Sequence, residues 1–126
     1  MKLIISNKSQ KPIYEQILEQ LKELILTQQL KSGEMLPSIR VLARDLKISV
    51  ITTKRAYDEL EKEGLIVTVA GKGCYVAEKN EDYLKEEILR RIEGYLEQAI
   101  LDAEKIKLSK EELYLMLETL MKEEGL

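Results

Sequence analysis

Ser49, Val50, Ile51, Thr52, Lys54 and Arg55 crowd into seven consecutive positions, with Arg40 upstream and Gly71-Lys72-Gly73 downstream. Hydroxyl, guanidinium and ammonium groups in such a cluster suit the holding of phosphates and base edges. They do not suit covalent chemistry. The 126 residues include no His, so the commonest general base and metal ligand is missing. The one cysteine, Cys74, can form neither an internal disulfide nor a multi-cysteine zinc site. As the start of a return strand it reads as a small apolar residue, with a redox-sensing thiol as the alternative. Gly71-Lys72-Gly73 lacks the remaining pattern and the following helix of a phosphate-binding P-loop. The chain is therefore expected to bind and not to catalyse, with no enzyme activity, no metal and no cofactor.

Spacing assigns each of these side chains a direction. At 100° per residue, Thr53, Ala56, Tyr57 and Leu60 form the buried stripe of one helix. Ile51 and Arg55 then point away from that stripe, and Lys54 lies on its flank. Arg55 and Lys54 are candidates for base or phosphate contact, or else the ordinary charged face of an amphipathic helix. Ser49 is an N-cap candidate, and a helix N-terminus with free N–H groups and small hydroxyls such as Ser49 and Thr52 also seats a phosphate. Val50 and Ile51 are both aliphatic. Two readings stay open for them: contact with thymine C5-methyl groups, or packing against protein. Arg40, in the first turn of an earlier helix and off its apolar face, suits a phosphate or the O6/N7 edge of guanine. Lys72, between two glycines that permit close backbone approach, suits a minor groove or a phosphate.

The elements that must position these residues are legible around them. Ile13, Ile17, Leu21, Leu24 and Ile25 recur at helical spacing, giving a helix from about Pro12 to about Gln28. Leu3–Ile5 is short and apolar and reads as a small edge strand. Lys31-Ser32-Gly33-Glu34 is a turn signal. Ser38 caps a helix whose apolar face is Ile39, Leu42, Ala43 and Leu46. Lys47-Ile48 leads to Ser49 and the next helix, which Gly64 ends as a left-handed residue. Leu65–Val69 reads as a strand, Ala70-Gly71-Lys72-Gly73 as its tip, and Cys74–Ala77 as the returning strand. Helix, turn, helix and β-wing in that order is a winged helix-turn-helix.

The charge is uneven. Met1–Lys79 holds 13 Lys/Arg against 10 Asp/Glu, a net of +3, and Asn80–Leu126 holds 7 against 13, a net of −6. The basic part is the one with the candidate contacts, though +3 implies only weak nonspecific affinity for nucleic acid. The acidic remainder carries a long apolar stripe through Leu84, Ile88, Ile92 and Tyr95. A capping-box pattern at Ser109–Glu112 then opens a second helix, with Leu113, Met116, Leu117 and Leu120 on one face. A membrane-surface helix favours Lys and Arg on its polar face, so self-association is the better reading of this stripe. No segment resembles a signal peptide or a membrane span, and a cytoplasmic location is expected.

Residues Pro12–Val76 resemble the DNA-binding domain of GntR-type bacterial transcription regulators. The matching pieces are Pro12-Ile13-Tyr14, Leu36-Pro37-Ser38-Ile39-Arg40, Leu42-Ala43, Ile48-Ser49, Thr52, Ala56-Tyr57, Leu60-Glu61, Glu63-Gly64-Leu65-Ile66 and Gly71-Lys72-Gly73. The short two-helix tail resembles the YtrA branch, in which the tail serves dimerisation. Within the resemblance, the position of Arg40 touches DNA and those of Val50 and Ile51 read bases. Thr53 stands where an aliphatic core residue is common.

The expected fold is mainly α with a small β-wing. A winged helix-turn-helix DNA-binding domain occupies residues 1–78, and a helical dimerisation tail occupies residues 79–126. The expected function is a homodimeric, sequence-specific regulator, a repressor, on an inverted-repeat operator in double-stranded DNA. The alternative is a winged helix used for protein or RNA contacts. The expected DNA contacts are Arg40, Ser49, Val50, Ile51, Thr52, Lys54, Arg55, Gly71, Lys72 and Gly73. The expected dimer contacts are Leu84, Ile88, Ile92, Tyr95, Leu113, Met116, Leu117 and Leu120. An unidentified small-molecule effector is a further partner open to such a chain, although a short helical tail offers no obvious pocket.

Overall fold

The computed structural model describes residues 1–126 as five helices and one two-stranded antiparallel sheet. In chain order these are α1 (Ile13–Leu26), α2 (Ile39–Leu46), α3 (Val50–Lys62), β1 (Ile66–Val69), β2 (Gly73–Val76), α4 (Glu81–Lys105) and α5 (Lys110–Glu123). The chain divides into two compact units, Met1–Lys85 and Glu86–Leu126.

In the first unit α1 and α2 pack on α3, and the hairpin closes the remaining side. The core is aliphatic, as a chain without Phe or Trp requires. Ile17 and Leu21 of α1, Leu42 of α2, Ala56 and Leu60 of α3, and Ile66 and Val76 of the hairpin are all buried. Pro12 is the N-cap of α1, one residue before the first helical position. Ser38 and Ser49 cap α2 and α3 as expected. Left-handed residues end all five helices, Gln28 (φ 61°) after α1 and Gly125 (φ +81°) after α5 among them. Lys47 (φ 58°) follows α2, Gly64 (φ +76°) follows α3, and Lys107 (φ 55°) follows α4. After each of these three, the next amide reaches back to the last turn: Ile48 to the Ala43 carbonyl, Leu65 to Leu60 and Leu108 to Ala103, each at 2.9 Å.

Leu3–Ile5 is not a strand. It is extended, but two glutamines of α1 supply what a neighbouring strand would. Gln20 accepts from the Ile4 N–H (2.9 Å) and donates to the Ile4 carbonyl (2.7 Å). Gln16 accepts from the Ser6 N–H (2.9 Å) and donates to the carbonyls of Ser6 (3.2 Å) and Lys11 (3.0 Å). Residues one helical turn apart thus pair with residues two apart in the arm, which turns Leu3 and Ile5 onto the core.

The second unit is the C-terminal part of α4 followed by α5. The capping box is formed, with the Ser109 hydroxyl accepting from the Glu112 N–H and the Glu112 carboxylate accepting from the Ser109 N–H. α5 buries no residue. Within this unit Leu96, Ala99, Ile100, Leu113, Met116, Leu117 and Leu120, with Tyr114, line an apolar groove of about 350 Å³. No helix is long and apolar enough to cross a membrane.

Candidate nucleic-acid interface

The first turn of α3 is the best-defined part of the site. The Ser49 hydroxyl accepts from the Thr52 N–H at 3.1 Å and shares a 2.7 Å hydrogen bond with the Thr52 hydroxyl. Thr53, fully buried, donates from its hydroxyl to the Ser49 carbonyl at 3.1 Å. That bond explains how a threonine occupies an aliphatic position: its one polar atom is satisfied within its own helix. The cap leaves the Val50 and Ile51 amides at the open end of the helix, where an N-terminus attracts anions. Val50 is 49% exposed and Ile51, with little of its surface against the protein, is 80% exposed.

Tyr57 fixes this turn relative to α2. Its ring is buried, and its hydroxyl donates to the Pro37 carbonyl at 2.7 Å. Burial pushes the phenol well above its ordinary value, with the neighbouring Cys74 thiol adding to the shift. The carbonyl lies immediately before the Ser38 cap of α2, so one bond ties the middle of α3 to the start of the helix that carries Arg40. Arg40 is exposed and makes no ion pair.

The two candidate cations of α3 are both held. The Lys54 ammonium meets the Asp58 carboxylate at 2.8 Å, one turn along, and this hydrogen bond raises the lysine pKa. The Arg55 guanidinium lies 3.8 Å from the centre of the Tyr14 ring. Tyr14 and Asp58 are the residues that the sequence analysis missed. Asp58 was within reach of the i,i+4 rule for charges. Tyr14, on another helix, carried no such local signal.

The wing is a short hairpin in the register Ile66↔Val76, Val67↔Tyr75, Thr68↔Cys74 and Val69↔Gly73. The Lys72 N–H bonds the Val69 carbonyl at 2.9 Å, and Gly71 (φ +76°) occupies the third position of that turn. A positive φ there is what glycine supplies without strain. The tip is shorter than expected, since Gly73 already belongs to β2. Lys72 is exposed and makes no ion pair. β2 is not a free edge. Gly33 and Leu36 donate to the carbonyls of Val76 and Cys74, Val76 donates to Glu34, and Met35 bridges to Tyr75. Thr68 donates to Glu61 of α3 at 2.5 Å, anchoring the other strand. These bonds stabilise a hairpin too short to stand alone.

The expected contact residues of the first unit are therefore all at the surface except Thr52, which is half-buried and bonded to Ser49. The expected dimer residues divide. Ile92, Tyr95, Met116, Leu117 and Leu120 are exposed, whereas Ile88 and Leu113 are half-buried. Leu84 corrects its expectation. It is only 6% exposed and borders, with Ile25, Leu30 and Val76, a gap of about 10 Å³ inside the first unit. Its burial needs no second copy. No three His, Cys, Asp or Glu side chains are grouped to hold a metal ion.

The profile of the bacterial regulatory proteins of the gntR family matches residues 13–76. The chain is 41% identical over 110 residues to the HTH-type transcriptional repressor YtrA of Bacillus subtilis (strain 168), covering 87% of this chain and 85% of that protein. The structure is similar to that of a GntR family transcriptional regulator from Listeria monocytogenes. The TM-score is 0.73 at 32% identity, covering 89% of this chain and 97% of the other. It also resembles the N-terminal domain of AraR in complex with the mutant operator ORR3, with a TM-score of 0.52 at 26% identity over 56% of this chain and all of the other.

Proposed function

The chain belongs to the gntR family of bacterial regulatory proteins and is a DNA-binding regulator; we propose that it works as a homodimeric, sequence-specific repressor on an inverted-repeat operator. The observation that carries the reading is the first turn of α3. Its end is capped and pinned, yet Ser49, Val50, Ile51, Lys54 and Arg55 all remain exposed. A helix end held rigidly and left uncovered is what insertion into a major groove requires. Arg40 and the Ser49–Thr52 end of α3 would meet the backbone, and Lys72 at the Gly71–Gly73 tip would enter the adjacent minor groove. Lys54 and Arg55 would reach DNA by leaving or sharing their present partners. The repressor role follows the similarity to YtrA, and such a role places the chain in the bacterial cytoplasm.

The second unit supports the homodimer. Tyr95, Leu96, Ile100, Met116, Leu117 and Leu120 are each 46% or more exposed, an apolar area too continuous for a lone surface. A second copy would cover it, and two-fold symmetry would present two reading heads to one DNA face.

A winged helix that binds protein or RNA is the second reading, favoured by the exposed Val50 and Ile51. Fluorescence anisotropy with the DNA upstream of the protein's own gene, against a scrambled duplex of equal composition, separates the two. Strong preference for the native duplex is expected. Equal, weak binding to both there and across a genome-wide DNA pull-down would overturn the repressor reading.

A further inference from the structure

We propose that Ile51, assisted by Val50, reads thymine C5-methyl groups in the major groove, so that this end of α3 selects its half-site by apolar contact. The inference rests on the DNA-reading role proposed above and names the base class that the role requires.

Three observations carry it. Ile51 is 80% exposed, more than any other large apolar side chain of the first unit, and Val50 beside it is 49% exposed. Packing against this chain is therefore not the function of Ile51. Both lie in the first helical turn, at the end where the amides are open. Finally, the polar groups around them are engaged within the protein. The hydroxyls of Ser49 and Thr52 hold each other, Lys54 holds Asp58, and Arg55 lies on Tyr14. The longest free side chain at the front of the helix is thus the one that cannot hydrogen-bond.

In the major groove of unmodified DNA only thymine offers a methyl group. Against the cytosine amino group, or the O6 and N7 of guanine, an isoleucine would leave polar atoms dehydrated and unpaired. The same side chain therefore favours thymine and penalises a G·C pair at the facing position. A β-branched residue in a helix has one dominant χ1 rotamer, so little side-chain freedom is lost on contact.

The test uses the full chain and duplexes that it selects from a random-sequence pool. Each thymine of a selected duplex is replaced in turn by uracil, which removes only the methyl group. At one or two positions per half-site uracil should weaken binding about fourfold, the worth of one buried methyl-sized group. Ile51→Ala should bind the thymine duplex more weakly by a similar factor and become indifferent to uracil at those positions. The substitution is at an exposed helical site and alanine favours helix, so circular dichroism should match the parent. Uracil without effect at every position of a duplex that the chain still prefers would overturn the methyl contact and leave the DNA-reading role intact. An undiminished uracil effect in Ile51→Ala would overturn the assignment to this residue. Failure to enrich any duplex would overturn the DNA-reading role, and the methyl contact with it.

Discussion

Replacing Tyr57 by Phe removes one atom from the centre of the reading head and should produce a pH-dependent signature. The phenol is buried and donates to the Pro37 carbonyl at 2.7 Å. Phenylalanine keeps the buried ring, so the apolar term is conserved and only the hydrogen bond is lost. Such a bond contributes roughly 0.5–1.5 kcal/mol net. Pro37 is only half-buried, so its carbonyl regains water and the full cost of a buried orphan does not apply. A loss of about 1 kcal/mol is expected near neutral pH, which lowers Tm by about 4–8 °C for a unit of this size. The size of this difference then depends on pH. The folded phenol titrates above its ordinary value of 10.0, so the unfolded chain loses this proton first as pH rises. The parent's tyrosine-dependent stability is complete below pH 10 and declines as pH climbs from there through the folded value. The variant has no such group. The advantage of the parent over Tyr57→Phe should therefore be constant from neutral pH to just below pH 10 and shrink above it. Thermal unfolding followed by circular dichroism at stepped pH measures this. Parallel curves across the alkaline range would refute the argument.

Asp58→Asn should free Lys54 from its pair and tighten DNA binding about twofold at low salt, whereas Lys54→Ala should lower the slope of log affinity against log salt by about 0.9; anisotropy titrations over a salt series would show both, and an unchanged Lys54→Ala slope would remove the phosphate role. Gln16→Ala should release the N-terminal arm, costing about 1–2 kcal/mol for a nearly buried amide that makes three bonds, and hydrogen exchange should accelerate at Ile4 and Ser6 before any core amide; undiminished protection there would mean that Leu3 and Ile5 alone hold the arm. Leu117→Lys should leave the monomer's stability within about 0.5 kcal/mol, because the side chain is already 46% exposed, yet shift sedimentation from dimer toward monomer; an unmoved dimer would place the interface elsewhere.

The sequence was most readable where chemistry is local. The Ser38, Ser49 and Ser109 caps, the left-handed Gly64 and the two-helix tail all follow from short-range rules, and all appear in the structure. What escaped is nonlocal. The pairing of Gln16 and Gln20 with the arm joins residues 10 and 16 positions apart, and no periodicity announces it. The stacking of Arg55 on Tyr14 needs α1 and α3 to be brought together first. Lys31–Glu34 reads as a turn, yet the backbone from Gly33 to Leu36 borders the wing, because a hairpin this short must find partners for its outer groups. Leu84 was misjudged for a related reason. Its spacing continues the stripe of the tail, but the first turn of α4 belongs to the first unit, where the core had room for one more leucine.

The electrostatics explain why a dimer would be required for tight binding. Of the candidate cations in the reading head, Arg40 and Lys72 make no ion pair, Lys54 pairs with Asp58 and Arg55 is held by an aromatic ring. One head can thus neutralise roughly two to four phosphates, which gives a salt slope of only about −2 to −4. With a net charge of +3 over Met1–Lys79, its attraction to arbitrary DNA is weak. Weak single heads favour specificity once they are linked. In the proposed homodimer the second head would bind at an effective concentration set by the dimer, and overall affinity would rise by roughly 10²–10⁴ without a new contact. That gain appears only where two half-sites have the spacing and symmetry of the dimer. The acidic tail, at −6 over Asn80–Leu126, adds nothing to nonspecific adhesion and is repelled by the backbone. A modest charge on the heads, an apolar joining surface and an acidic tail are therefore consistent with one design, in which discrimination comes from geometry and base contact and not from bulk attraction.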